Sequence, residues 1–595
     1  MAQPAQPRGA SRIWAQLPPE LENHIISFLE PNDVACGLRL VNQAAAELLR
    51  GPCHTIIRLS QPVPNASFAR RWAGPEATRG LTLRRRRELL RLTASSGSLP
   101  NLQAAVHAAC CTLTPDVAAA AAAGGHLGVC QWLRQHDESS LGERLDQLGA
   151  LTAAAGGGHR QMCEWLLANG FPWSWAAVEA AARCGHVGLA KRLLSHLPPT
   201  SRRPEGDCWL VWVAEGCDLP ALKREWGAAA ASLGTSIAAT LTQPQSGVVP
   251  APPATAAPLP PRRAASALAA AAGSPTPDWA AKVEWLESQG CPRSALAARA
   301  AATRPNALQR LVWLRGRGYT LDAPAAVVAA RRGDAATLEY LLAEASARPA
   351  ATAATAAAAG GHLAALRALH AEGCLIDTEE VVAAAARGGH VDVLAWLEDV
   401  LGGGTAALVF RGARTLCAAA ESGSVELLAW LRERGCSWDA GVWVAAAEGG
   451  CEEALEWLAT QGCPMTQDRG CVAHIRAAWR GDLATLRCLH RQAVPRGPPG
   501  AVLSHAVQFA PLPVVRWLLL EDGGAAGGPD GDESGGGLIR EARVRALRRP
   551  GAEGVEVRRL LLRAERRAQA AQRAAVLGRC RRLLDSLVGV WRLAR

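Results

Sequence analysis

Ala385-Ala386-Arg387-Gly388-Gly389-His390-Val391-Asp392-Val393-Leu394-Ala395-Trp396-Leu397 contains an alanine pair, a glycine-histidine turn and a Leu-x-Trp-Leu run. Ala119 to Leu133 repeats it, with Gly124-Gly125-His126 at the turn and Trp132-Leu133 at the end. Taking the position six residues after the turn residue as an anchor, thirteen copies follow one another. The anchors are Trp132, Trp165, Arg192, Arg224, Trp285, Trp313, Tyr340, Ala368, Trp396, Trp430, Trp457, Cys488 and Trp517. Their spacings are 33, 27, 32, 61, 28, 27, 28, 28, 34, 27, 31 and 29 residues. A near-constant period of this length predicts a solenoid of stacked units, a form that presents a long surface to a partner. The step of 61 equals about two periods, which predicts one degraded or interrupted unit there.

Each unit reads as two short helices. Alanine, the strongest helix former, fills the first, as in Val381 to Arg387. Gly389 then ends it, as left-handed glycines do. The second helix carries Val391, Leu394, Trp396 and Leu397 at helical spacing. It stops at another glycine, often followed by cysteine, as at Gly290-Cys291, Gly373-Cys374, Gly435-Cys436 and Gly462-Cys463. The turn residue is His126, His159, His186, His362 or His390 in some units, Asp218, Asp334 or Asp482 in others, and Ser424 once. Aspartate and serine are strong helix caps, so this reads as a capping column. Metal ligation is the lesser reading, because metal sites need convergent donors. Trp132, Trp165, Trp285, Trp313, Trp396, Trp430, Trp457 and Trp517 form a second column, expected to pack as the core between units. A solvent-facing recognition stripe is the alternative.

These features resemble the ankyrin repeat over roughly residues 100–520. The Gly-His turn, the apolar run and the terminal glycine match the second half of that family's unit. The family's Thr-Pro-Leu-His signature is replaced by alanine, and many units are shorter than its usual length. The resemblance implies an all-α, ankyrin-like helical-pair solenoid of about 13 units, with shortened hairpin loops between them.

The N-terminal stretch contains Leu17-Pro18-Pro19-Glu20-Leu21, Ile25-Ile26, Phe28-Leu29, Pro31-Asn32-Asp33-Val34 and Leu38-Arg39-Leu40-Val41-Asn42. Leu21, Ile25, Phe28 and Leu29 mark one face of a short helix. Pro31 is expected to end it, and Asp33 to cap the next. This stretch resembles an F-box, except that Ala44-Ala45-Ala46 replaces the family's Trp-Arg. The resemblance implies a Skp-adaptor contact through Leu17, Pro18, Ile25, Leu29 and Val41, within a Skp–Cullin–F-box ubiquitin ligase. A plain helical cap for the first repeat is the alternative.

The chain divides into a helical module (1–50), a connector (51–100) and an N-terminal repeat block (101–227). An Ala/Pro-rich low-complexity insert (228–277) and a C-terminal repeat block (278–520) follow, then a Gly/Asp-rich linker (521–537) and an Arg-rich amphipathic helical tail (538–595). The connector holds Arg84 to Arg87, read as a solvated helix face, with a nuclear-import patch as the alternative. The tail holds 16 arginines against 5 acidic residues, 16 − 5 = +11, which equals the net charge of the whole chain. Leu584, Leu587, Val588 and Trp591 recur there at helical spacing. Such a helix suits the last repeat as a cap or an acidic protein, with an anionic membrane surface or a nucleic acid as the alternative.

Eighteen cysteines recur largely at repeat positions. With no apolar core in Met1 to Ala10 to act as a secretory signal, they are expected to be reduced. Cys463, Cys471 and His474 are the nearest approach to a zinc cluster. No cofactor and no catalytic motif is implied. A third reading, a membrane-associated sphingomyelin-phosphodiesterase-like or phospholipase protein, lacks identifiable catalytic residues. The expectation is therefore a non-enzymatic protein-binding scaffold in the cytoplasm or nucleus. It would serve as a ligase substrate receptor or as a plain adaptor. Protein partners are expected, and no nucleic acid, since aromatic and basic residues do not interleave.

Overall fold

The computed structural model describes residues 18–74, 76–136, 149–197, 208–241, 259–344, 351–374, 378–410, 412–520 and 534–593. Among them the secondary structure is helical, apart from one isolated bridge between Cys111 and Asp482. Thirteen helical pairs follow in order, and all thirteen anchors fall in the second helix of a pair. In the pair Thr378–Gly388 and Val391–Phe410, alanines 383 to 386 are buried in the first helix. Val393, Leu394 and Leu397 are buried in the second. Alanine lets neighbouring first helices approach closely, and the leucines fill the space between the two layers.

Among the described residues, the spacing of 61 holds no additional helical pair. The Pro261–Ala272 helix, which lies inside the segment read as low-complexity, is the alanine helix of the pair completed by Trp279–Ser288. Its Ala264, Ala267, Leu268, Ala271 and Ala272 are buried at helical spacing. The extra length comes from the preceding second helix, Leu219–Leu241, and from the stretch after it. Proline at 261 starts the helix rather than breaking it, because a first-turn amide has no helical acceptor to lose.

The chain forms two compact units. One comprises residues 122–126 and 145–437; the other comprises 1–121, 127–144 and 438–595. Within the second, segments far apart in sequence pack together. The stretch read as a connector holds the Leu83–Ser95 helix, which pairs with Leu99–Ala109. Arg86 of that pair, 1% exposed, reaches the turns of two late repeats. It makes a two-pronged bond to Asp482 (2.9 and 2.7 Å) and also donates to the Gly450 and Ala109 carbonyls, both at 2.8 Å. The Thr112 amide donates to the Gly481 carbonyl at 2.9 Å, and the Ala484 amide to that of Cys110 at 3.1 Å.

The Arg-rich stretch begins as the end cap of the last pair. Ile539, Ala542 and Ala546 of the Ser534–Ala546 helix are buried, as are Val557, Leu560, Leu561 and Ala564 of Gly551–Leu593. Arg549 donates to the Ala510 carbonyl at 2.7 Å. No helix among the described residues is long and apolar enough to cross a membrane.

Candidate docking surface

The N-terminal module has a small core and a large apolar exterior. Val34, Ala35, Ala45 and Leu49 are buried. Asn32, fully buried, fastens the module to the next segment. Its side-chain amide donates to the Arg58, Gln61 and Pro62 carbonyls at 2.8, 3.3 and 2.9 Å, and its oxygen accepts from the Arg58 amide at 2.9 Å. Asn101 continues the chain of ties by donating to the Val63 carbonyl at 2.8 Å. Asp33 caps no helix. It lies in the first turn of Pro31–Cys36, which Pro31 begins, and Asn42 is the cap of the following helix, accepting from the Ala45 amide at 2.8 Å.

No described residue of the Pro19–Ser27 helix is buried, and only Ile26 is half-buried. Leu21, Ile25 and Phe28 share one face at i, i+4, i+7 spacing and are exposed, Phe28 to 77%. Leu29, Leu40, Val41 and Leu48 are exposed as well, Val41 to 61%. Single exposed apolar residues are ordinary, whereas so many in one small module mark a surface built to be covered. Of the sequence-expected contact residues, Pro18, Ile25, Leu29 and Val41 are exposed. Leu17 lies outside the described residues.

The tryptophan column differs from expectation. Trp132, Trp165, Trp285, Trp313, Trp396, Trp430 and Trp457 are half-buried, and only Trp517 is buried. The core is leucine and alanine; the indoles sit at the seams between units. Trp285 meets Trp226 edge-on at 5.5 Å and Trp396 meets His370 at 5.8 Å. Arg434 and Arg317 cover the outer faces of Trp430 and Trp313 at 3.7 and 4.9 Å. A ring too large for the close-packed alanine layer finds its contacts at the edge.

The turn column splits by chemistry. Asp218, Asp334, Asp482 and Ser424 cap the second helix, accepting from amides three residues on at 2.9, 3.1, 3.1 and 3.2 Å. His159, His186 and His362 cap nothing. Instead, His159 Nε2 donates to the Ala123 carbonyl at 2.8 Å. His362 and His390 donate to those of Arg331 and Ala359, each at 3.2 Å. Each thus satisfies the carbonyl end of the preceding first helix. In two units without histidine, a basic side chain on the second helix takes over. Lys282, fully buried, donates to the Ala214 and Cys217 carbonyls and to Ser274 Oγ at 2.8, 2.7 and 2.6 Å. Burial brings its pKa down to about 8. Arg310 donates to the Ala272 and Ser274 carbonyls at 2.7 and 2.9 Å.

Cys463, Cys471 and His474 do not assemble. Among the described residues the one metal-capable trio is Glu452, Glu456 and Cys488. Arg491 holds Glu452 at 2.5 Å and Arg79 holds Glu456, while burial pushes the Cys488 thiol up to about 12. Both carboxylates are already neutralised by guanidinium groups and the sulfur is a thiol, so the trio is an ion-pair network. None of the eighteen cysteines is in a disulfide.

No protein family matches the chain, and no curated protein matches it. Solved helical-repeat structures do. The pentatricopeptide repeat protein PPR10 in complex with an 18-nt psaJ RNA element is 17% identical, covering 78% of this chain and 67% of that one, with a TM-score of 0.29. PPR10 from maize is 13% identical, covering 91% and 78%, with a TM-score of 0.25. The chain is a helical-repeat protein. Superposition this loose transfers neither a site nor a ligand. The first of these neighbours is in complex with an RNA element. The expectation of no nucleic-acid partner is withdrawn.

Proposed function

We propose that the protein is a non-catalytic substrate receptor of a Skp–Cullin–F-box ubiquitin ligase. In this reading the N-terminal module is an F-box-like adaptor contact, and the repeats, a divergent ankyrin-like array, hold a protein target. The exposure of Leu21, Ile25, Phe28, Leu29 and Val41 carries the reading, because these apolar side chains lie on a module whose buried core of Val34, Ala35, Ala45 and Leu49 does not include them. Covering them removes apolar area from water at about 25 cal/mol per Å².

The test is co-purification of the full chain with the Skp adaptor. Ile25→Glu with Val41→Glu is expected to abolish capture while leaving helix content unchanged, since both side chains are exposed. Failure of the unmodified chain to bind the adaptor leaves the plain adaptor reading in its place.

A further inference from the structure

Among the anchors that are not tryptophan, two successive ones are arginines, Arg192 and Arg224. Both are exposed, and with Arg160 they rim a groove of about 810 Å³. The three arginines are evenly spaced, 32 residues from Arg160 to Arg192 and 32 from Arg192 to Arg224. Gly185 and Gly216 line the groove with backbone alone, and His186 completes it.

The charge is incompletely balanced. Arg160 and Arg192 share one carboxylate, that of Glu164, at 2.8 and 2.9 Å. Arg224 has no ion-pair partner among the described residues. Asp218 also lines the groove, but its carboxylate is engaged as the cap of Leu219–Leu241, accepting from the Ala221 amide at 2.9 Å. The shared pairs are solvent-exposed and individually weak. Guanidinium forks match the oxygens of a phosphate as well as those of a carboxylate, and two arginines sharing one carboxylate, with a third unpaired among the described residues, leave donors free for such a group.

We infer that this groove binds a phosphorylated segment of a protein. A single-stranded nucleic acid is the less suited occupant, because no Trp, Tyr or Phe lines the groove to stack a base. The inference rests on the receptor reading for the claim that the occupant is a substrate; binding itself is measured without any ligase component.

The experiment is fluorescence anisotropy of the full chain with a degenerate phosphoserine peptide library, its dephosphorylated twin, and oligouridine as a third probe. The phosphorylated library is expected to bind more tightly than its twin by about tenfold or more, and the Arg192→Glu, Arg224→Glu variant is expected to lose that margin. Both side chains are exposed, so the variant's melting curve and its capture of the Skp adaptor are expected to match those of the unmodified chain. Binding that ignores phosphorylation, an unaffected variant, or tighter binding of oligouridine each overturns the inference. Peptide binding without adaptor capture sinks only the ligase reading, and adaptor capture without peptide binding sinks only this one.

Discussion

At the residue scale, the recurring problem is the carbonyl end of each alanine helix. An alanine offers no side chain to satisfy it. His159, His362, His390, Lys282 and Arg310 are different donors serving the same need. The glycines follow from the histidines. Gly361 has φ +72°, and a Cβ there would lie 2.5 Å from His390 Nδ1, so the imidazole of one unit requires glycine in the unit before it. Lys282 makes a pH prediction. Its pKa falls from 10.5 to about 8 on folding, chiefly through burial. Between these values the unfolded chain holds a proton that the folded chain has released, so this site's contribution to stability rises with pH across that window. Below the window both states are protonated and the full cost of the buried charge is present. Denaturant titrations at several pH values should show this rise in the unmodified chain and not in Lys282→Met; identical slopes would contradict the assignment.

At the scale of the element, a helical pair is held by two different layers. Leu394 is fully buried, whereas Trp396 on the same helix is half-buried at a seam. Leu394→Ala is expected to destabilise the pair by about 2–5 kcal/mol, through lost transfer energy and a cavity. Trp396→Ala removes more atoms but fewer buried ones, and is expected to cost about 1–2 kcal/mol. Hydrogen exchange of the Val381 to Ala386 amides reads the order directly, and a larger effect from the tryptophan would restore it to the core. The helical pairs themselves were legible in the sequence because period, alanine content and turn glycine all lie within one repeat. The Pro261–Ala272 helix is masked in the sequence by its Ala/Pro-rich surroundings, although Ala264, Ala267, Leu268 and Ala271 recur at the helical spacing of a buried face.

At the scale of the whole molecule, the Arg86–Asp482 pair joins residues 396 apart into one compact unit. Both side chains are withdrawn from water, at 1% and 0% exposure. Such a pair adds little over an apolar replacement, yet breaking it from one side strands the other charge. Asp482→Ala is therefore expected to destabilise this unit by about 3–5 kcal/mol. Hydrogen exchange should accelerate together in Leu83–Ala109 and in Gln467–Arg491. Acceleration confined to the late repeat would show that the early helices stand independently of it.

The sequence alone determined the helical period, the thirteen pairs, the positions of their turns and the apolar face of the N-terminal module. Each of these is a local pattern, written within one repeat or one short helix and read by counting residues. Only the tertiary structure decided that tryptophan lies at the seams, which donor meets each carbonyl end, that Arg86 is buried against Asp482 while its neighbours in the arginine run are not, and that three arginines rim one groove. These outcomes depend on which side chains reach one another across units. That is a matter of distance in space, which a periodic sequence leaves open because its repeats look nearly alike to one another.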